Sequence, residues 1–303
     1  MSLRFTIGTL AFLALAACHS ATDDAPEAGG AAASESVVFA ANYPLFFFAA
    51  QIAGHTVTIR MPDFDGDPAF WKPDDDEIRS LQQADLLLLN GAGYDSWQGW
   101  VTLPQDSPLD TSQEFRDRLV PVDDRAQHQH GPGGEHSHGD VAFTTWLDPT
   151  LAALQAEAVM RGLARLLPEH EPAYRKRLGE LTGRLQELDR RLGEALAVFE
   201  DQPLLFSHPV YQYLAEHYGL DGVSLHWEPD LEPGAGDWIA LQRILQRHPA
   251  RYMLWEDAPL DSTADRLREL GIIPVVFQTL ALPPEAGDYF GGMEANIGRL
   301  PKP

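Results

Sequence analysis

Leucines at 178, 181, 185, 188, 192 and 196 draw one apolar stripe along the middle of this 303-residue chain. Steps of three and four residues put them on a single helix face, so 173–199 reads as one helix. At ~1.5 Å per residue it spans about 40 Å. Such a stripe has to be covered, either by a partner in a coiled-coil dimer or by the rest of the same molecule. The repeat is short, which favours a backbone helix lying across one molecule, and a monomer is expected.

On both sides of this helix short apolar runs alternate with helical stretches. Before it come strands at 37–40, 55–61, 85–89 and 119–122, and helices at 45–52, 74–83 and from 149 to about 167. The helix at 74 opens on Asp74-Asp75-Asp76-Glu77, the acidic first turn that the helix dipole favours. After it come strands at 203–206, 252–255 and 272–277, and helices at 210–218, 238–246 and 262–270, the last closed by Gly271. Strands alternating with helices imply parallel sheets. The expected fold class is α/β: two lobes with parallel sheets joined by a long backbone helix. The N-terminal lobe covers 37–149, linking helices 150–200 and the C-terminal lobe 201–303. Ligands of such sheets bind beyond the carboxyl ends of the strands, which in a two-lobe protein can face a shared cleft.

The amino-terminal segment sets where such a protein works. Arg4 precedes a short apolar run that ends in Leu15-Ala16-Ala17-Cys18, and Cys18 is the only cysteine. Residues 1–17 read as a secretory signal peptide, and cysteine directly after the small residues is the lipobox pattern. The Cys18 thiol then takes a diacylglycerol and anchors the protein to a lipid bilayer on the extracytoplasmic, periplasmic side. Residues 18–36 carry no large apolar side chain beyond the anchor and read as a disordered tether. The mature chain has no cysteine left for a disulfide, so its core must hold it. A net charge of −23 argues against nucleic acid as a partner. The same charge draws cations. Residues 127–140 break the alternation with a Gly- and His-rich stretch, expected as a mobile loop. There His128, His130, His136 and His138 can collect zinc or copper.

Several local motifs, in order along the chain, resemble the zinc/manganese ABC-transporter solute-binding proteins, the cluster A-I group. They are Asn42-Tyr43-Pro44-Leu45, Gly66-Asp67-Pro68, Ala84-Asp85-Leu86 with Asn90-Gly91-Ala92-Gly93, and Trp146-Leu147-Asp148-Pro149. Further on come Phe206-Ser207-His208, Tyr218-Gly219-Leu220, Glu232-Pro233, Asp288-Tyr289 and Met293-Glu294-Ala295-Asn296. The His-rich stretch sits where zinc members carry one. The resemblance implies two lobes on a rigid linking helix, zinc or another divalent metal as cargo, and an ABC permease in the membrane as partner. It also implies four metal ligands, and here the sequence departs from the family. Ala69 and Thr144 stand where two histidines are expected, and Gln278 or Thr279 where an acid is expected. Only His208 carries over.

Three readings follow. In the first the cargo is still a metal and the ligands have moved: His208 with His226, Glu228, Glu256 and Asp257 from one lobe and Asp63, Asp65 or Asp67 from the other. In the second the cleft takes a metal chelate or another small organic molecule, with Tyr43, Trp71, Trp146 and Tyr211 beside Thr144, His208 and Gln278. In the third only the His-rich segment gathers metal. An enzyme is the rival class, since His208, Asp237 and Ser224 could be read as a nucleophilic constellation. No Gly-x-Ser-x-Gly elbow, His-Glu-x-x-His or phosphate-binding glycine loop accompanies them, so no catalysis is expected.

Overall fold

Val37–Ala40 (β1) and Leu86–Leu89 (β3) are short and apolar on both faces, the composition that the middle of a parallel sheet demands. They pair with each other, and Thr58–Arg60 (β2) and Pro108–Asp110 (β4) flank them in the order β2-β1-β3-β4, all parallel. The computed structural model describes residues 36–64, 66–122, 128–129, 135–136 and 141–302, with the backbone alone at 128–129 and 135–136. The signal peptide, Cys18 and almost all of the tether lie outside these residues, as do Asp65, His130 and His138. Everything below belongs to the unit Glu35–Pro303.

The second sheet repeats the plan. Leu204–Phe206 (β7) and Tyr252–Trp255 (β9) lie at the centre, and Gly222–Ser224 (β8) and Ile273–Val276 (β10) at the edges, in the parallel order β10-β9-β7-β8. The helices are Tyr43–Ala53 (α1), Asp75–Gln82 (α2), Pro149–Leu166 (α3), Glu171–Leu196 (α4), Gln212–Tyr218 (α5), Ala235–Leu245 (α6), Asp261–Glu269 (α7) and Tyr289–Arg299 (α8). Side-chain caps start several of them: Asn42 Oδ1 accepts from the Leu45 N–H, and Asp148 Oδ1 from the Thr150 N–H.

The leucine stripe is covered within the chain. Leu181, Leu185, Leu188, Leu192 and Leu196 are buried and Leu178 partly so, with α4 lying against α1, α3 and α8. The same apolar core contains Leu45 and Trp146 from the first half and Leu204, Leu254 and Phe277 from the second. Hydrogen bonds stitch the halves across it. Trp146 Nε1 donates to the Thr279 carbonyl at 2.7 Å, and the Tyr289 hydroxyl to the Trp146 carbonyl at 3.0 Å. Tyr213 does the same to the Ala142 carbonyl at 2.9 Å.

Three elements differ from the sequence expectation. The fourth strand of the first sheet is Pro108–Asp110, not 119–122, where only a single bridge joins Pro121 to Val141. An edge strand that begins on proline loses no interior ladder bond, and its short run carries no apolar signal. Second, Gly222–Ser224 forms an edge strand with one apolar residue. The Phe206 ring lies where a side chain at 222 would stand, 2.2 Å from an added Cβ, so only glycine fits there. Third, the expected mobile loop contains paired strands, His128–Gln129 (β5) and Glu135–His136 (β6), antiparallel with His128 opposite His136.

Candidate metal centre

All four strands of the second sheet end at one cleft. His208 stands two residues past β7, where the Ser207 N–H donates to the Leu254 carbonyl and the Ser207 carbonyl accepts from the Trp227 N–H. These bonds carry the ladder one residue beyond the strand and fix the chain that bears the imidazole. Glu256 follows β9 directly, Glu228 follows Trp227, and Gln278 lies two residues past β10. Asn296 clamps the Gln278 backbone from both sides, accepting from its N–H at 2.9 Å and donating to its carbonyl at 2.8 Å. From the first half comes Asp67, which opens the turn Pro68–Phe70 and accepts from the Ala69 N–H at 2.9 Å. His208, Glu228, Glu256, Gln278 and Asp67 line one cavity of about 460 Å³.

His208 is the centre of this group. It is 4% exposed, with Nδ1 3.3 Å from Glu256 Oε1 and Nε2 3.6 Å from Glu228 Oε1. Burial disfavours its charged form, but the hydrogen bond and charge of Glu256, together with Glu228 and Asp67, outweigh this and raise its pKa. Asp67 opens onto the cleft, yet protein crowds its carboxyl. Lost hydration first, and Glu256 next, push its pKa up to about 6. Glu228 is raised by burial, with Glu256 and Asp230 adding to the effect. Two donors on one tetrahedral zinc with bonds of ~2.0–2.1 Å stand ~3.3 Å apart; because Nδ1 and Nε2 lie on different edges of the ring, an ion bound at one nitrogen of His208 shares only the glutamate on that edge, and the other glutamate orients the imidazole. Among the described residues, however, no group of three or more His, Cys, Asp or Glu side chains is arranged to hold a metal ion.

These shifts share one sign. A second carboxyl, Asp95 at the end of the first sheet, is 4% exposed, and burial lifts it to about 7 against the N–H groups of Gly91 and Asn90. A carboxyl raised from its unfolded value near ~4 holds a proton in the folded protein where the unfolded chain has lost it. Its contribution is therefore lost as pH rises through about 6 for Asp67 and about 7 for Asp95. A raised histidine likewise stabilises below its unfolded pKa and loses that contribution as pH rises through the folded one. Metal-free protein is thus expected to be less stable at pH 8 than at pH 5.5, with Asp95 contributing on the order of 2 kcal/mol. Urea denaturation at the two pH values measures it, and equal or reversed midpoints would contradict the assignment.

The other sequence candidates are distributed unevenly. Asp257 lines the cleft, Asp63 is exposed, and the His226 ring meets His208 edge-on at 6.1 Å. Tyr43, Trp71 and Thr144 do not line the cavity, contrary to expectation. Tyr43 is buried against Phe46 and Phe47, and Trp71 packs on Phe39, Phe64 and Trp97. Thr144 is buried and donates to the Val210 carbonyl at 2.5 Å. Trp146 and Tyr211 are core as well, and Phe70 is the aromatic residue that lines the cleft among the described residues. The rings of Tyr43, Trp71, Trp146 and Tyr211 are buried, which leaves them no surface for a ligand. Nor do His208, Asp237 and Ser224 form a nucleophilic unit: both imidazole nitrogens face glutamates, and Asp237 accepts from the Gly234 N–H at the start of α6. Sequence reasoning missed the rim beyond Thr279, residues 280–285, whose Leu-Ala-Leu-Pro-Pro run carries neither helical nor strand periodicity.

Comparison with known proteins finds relatives of this chain in sequence and in fold. A family model described as "ZnuA: Zinc-uptake complex component A periplasmic" matches residues 38–302. "High-affinity zinc uptake system protein ZnuA" of Bacillus subtilis (strain 168) is 26% identical over 312 residues, covering 95% of this chain and 93% of that protein. "Zinc-binding lipoprotein AdcA" of Streptococcus pneumoniae (strain ATCC BAA-255 / R6) is 25% identical over 270 residues, 85% of this chain. The chain spans about half the length of that relative, 54% of it. In fold, the Zn(II)-bound ZnuA-like domain of S. pneumoniae AdcA superposes with a TM-score of 0.72 at 22% identity, over 87% of this chain and 97% of that one.

Proposed function

Because the chain belongs to the ZnuA family of periplasmic zinc-uptake components, we propose that it captures zinc, or a closely related divalent ion, in the cleft around His208 and delivers it to an ABC permease. The family is one of transport components and not an enzyme class, and we read the chain as non-catalytic. The observation that carries the reading is an imidazole flanked by Glu256 and Glu228, with Asp67 brought to the same cavity from the other half. A borderline cation is held best by imidazole and carboxylate together. Several carboxylates around one imidazole favour a cation there, and a divalent ion that takes a nitrogen of His208 displaces the proton these carboxylates otherwise hold on the ring. Gln278, Asp257 and the rim line the cavity without supplying an imidazole.

The wider reading keeps the lobes at 37–149 and 201–303 with linking helices at 150–200. It keeps Cys18 as the lipid anchor, an extracytoplasmic site of action and a monomeric state. Relatives named zinc-binding lipoprotein and zinc uptake system protein support it. The His-rich segment is read as an auxiliary collector of metal. Native mass spectrometry of the mature protein, with and without residues 127–140, tests the division of labour. One zinc ion per chain is expected to survive the deletion. Loss of all zinc with the segment would move the function out of the cleft.

A further inference from the structure

Buried tyrosines in this core have their oxygens satisfied, as a buried phenol requires. Tyr211 donates to the Phe277 carbonyl at 2.6 Å, Tyr213 to the Ala142 carbonyl at 2.9 Å and Tyr289 to the Trp146 carbonyl at 3.0 Å. The Tyr174 hydroxyl pairs with that of Thr56 at 2.6 Å. Tyr94 departs from this. It is 2% exposed, yet its hydroxyl has no hydrogen-bond partner among the described residues. A buried donor without a partner costs free energy, and a phenylalanine would fill the same space without that cost. An oxygen retained at this depth calls for a use in another state of the protein.

The chain is bent to bring this hydroxyl behind the cleft. Gly91, Ala92 and Gly93, just past β3, take φ of +75°, +50° and +79°, and the Tyr94 N–H closes the turn on the Gly91 carbonyl at 3.0 Å. The ring lies edge-on to Phe143 at 5.4 Å and to Trp146 at 5.7 Å, and Trp146 in turn holds the Thr279 carbonyl at the cleft rim. Packed in this way, the ring cannot swing its oxygen to solvent. Burial first, then the carboxyls of Asp67 and Asp95 in that order, raise the pKa of the hydroxyl. Asp95 is already engaged, with Oδ2 accepting from the Gly91 N–H at 2.8 Å and Oδ1 from the Asn90 N–H at 3.3 Å. Asp67 lines the cavity and accepts from the Ala69 N–H through Oδ1. A carboxylate offers about four acceptor sites, so Asp67 has room for a cation and a second donor.

From the unpaired hydroxyl, its fixed ring and the open side of Asp67 together, we propose that Tyr94 is a positioning residue for the metal site: its O–H donates to the Asp67 carboxylate when that carboxylate engages the cation. The inference rests on the capture reading above and adds to it a residue that does not touch the cargo. A carboxylate that ligates a metal keeps its orientation through hydrogen bonds to its remaining lone pairs. Asp67 comes to the cavity from the first half of the chain, so tying it fixes that half's hold on the ion.

Zinc affinity and metal-free stability of the mature protein, measured in Tyr94→Phe, Asp67→Asn and the double variant, test this. Tyr94→Phe removes one oxygen and keeps the ring. It is expected to weaken zinc about ten- to 100-fold in competition titrations against a zinc-sensing dye. Its metal-free urea midpoint is expected to equal or exceed that of wild type, because the hydroxyl had no bond to lose. In the Asp67→Asn background the same change is expected to cost less than about two-fold more, since a residue acting through Asp67 has nothing left to position. Unchanged zinc affinity in either single variant overturns the proposal and leaves zinc capture standing. So does a lowered metal-free midpoint in Tyr94→Phe, which would make the hydroxyl a structural donor, and so do additive losses in the double variant. If the wild-type protein takes up no zinc, the capture reading falls as well.

Discussion

Replacing His208 with alanine is expected to weaken zinc binding by about 100-fold or more. The imidazole is the one nitrogen donor set between Glu256 and Glu228, at 3.3 and 3.6 Å. Its loss leaves a site of oxygen donors, and these suit hard cations such as calcium or manganese better than zinc. The variant should therefore lose zinc far more than it loses calcium, so the preference between the two narrows. The side chain is 4% exposed, and its removal leaves a polar gap among carboxylates. His208→Gln, which keeps much of the volume and a hydrogen-bonding amide, separates a lost ligand from a damaged fold. Both variants should fail in competition titrations against a zinc-sensing dye while their far-ultraviolet circular dichroism stays unchanged. Wild-type zinc affinity in a folded His208→Gln would remove His208 from the site.

The largest loss of stability is expected at Trp146. Its side chain is fully buried, meets Tyr94 edge-on at 5.7 Å and donates to the Thr279 carbonyl at 2.7 Å. Truncation of a buried Trp to alanine costs about 3–5 kcal/mol through lost burial and the cavity left behind. Here the Thr279 carbonyl also loses its partner. Thr279 belongs to the cleft rim, so Trp146→Ala should both lower the denaturation midpoint and weaken ligand binding. Trp146→Phe keeps most of the ring volume and removes the donor, so it isolates the hydrogen bond at about 1–2 kcal/mol. A Trp146→Ala midpoint within experimental error of wild type would show that the halves are not joined through this residue.

Sequence patterning carried the fold well wherever burial was continuous. The runs at 37–40, 86–89 and 252–255 are apolar on both faces and fall within strands, and the leucine stripe maps onto α4. The pattern failed at sheet edges. Pro108–Asp110 and Gly222–Ser224 owe their pairing to a neighbouring strand and, at Gly222, to the space that Phe206 occupies. The site was less legible. His208 came from the motif that resembles the family, Glu256 from its place after a strand and Asp67 from its run of closely spaced carboxylates, and the structure brings all three to one cavity. Tyr43, Trp71 and Thr144 were placed near the ligand because sequence distance from a motif says nothing about which way a side chain turns. The motif residues Asn42 and Asn90 prove architectural: they bond each other at 3.2 Å, and Gln155 donates to Asn90 at 3.1 Å, all buried.

Each strand of the second sheet sends a different residue into the cleft just after its ladder ends. Because these positions follow the ladder, an exchange at one of them leaves the strands beneath it paired as before. Cargo preference in such a scaffold can therefore drift one position at a time, at little cost to folding. A lineage can trade one metal, or one metal complex, for another while its framework stays recognisable.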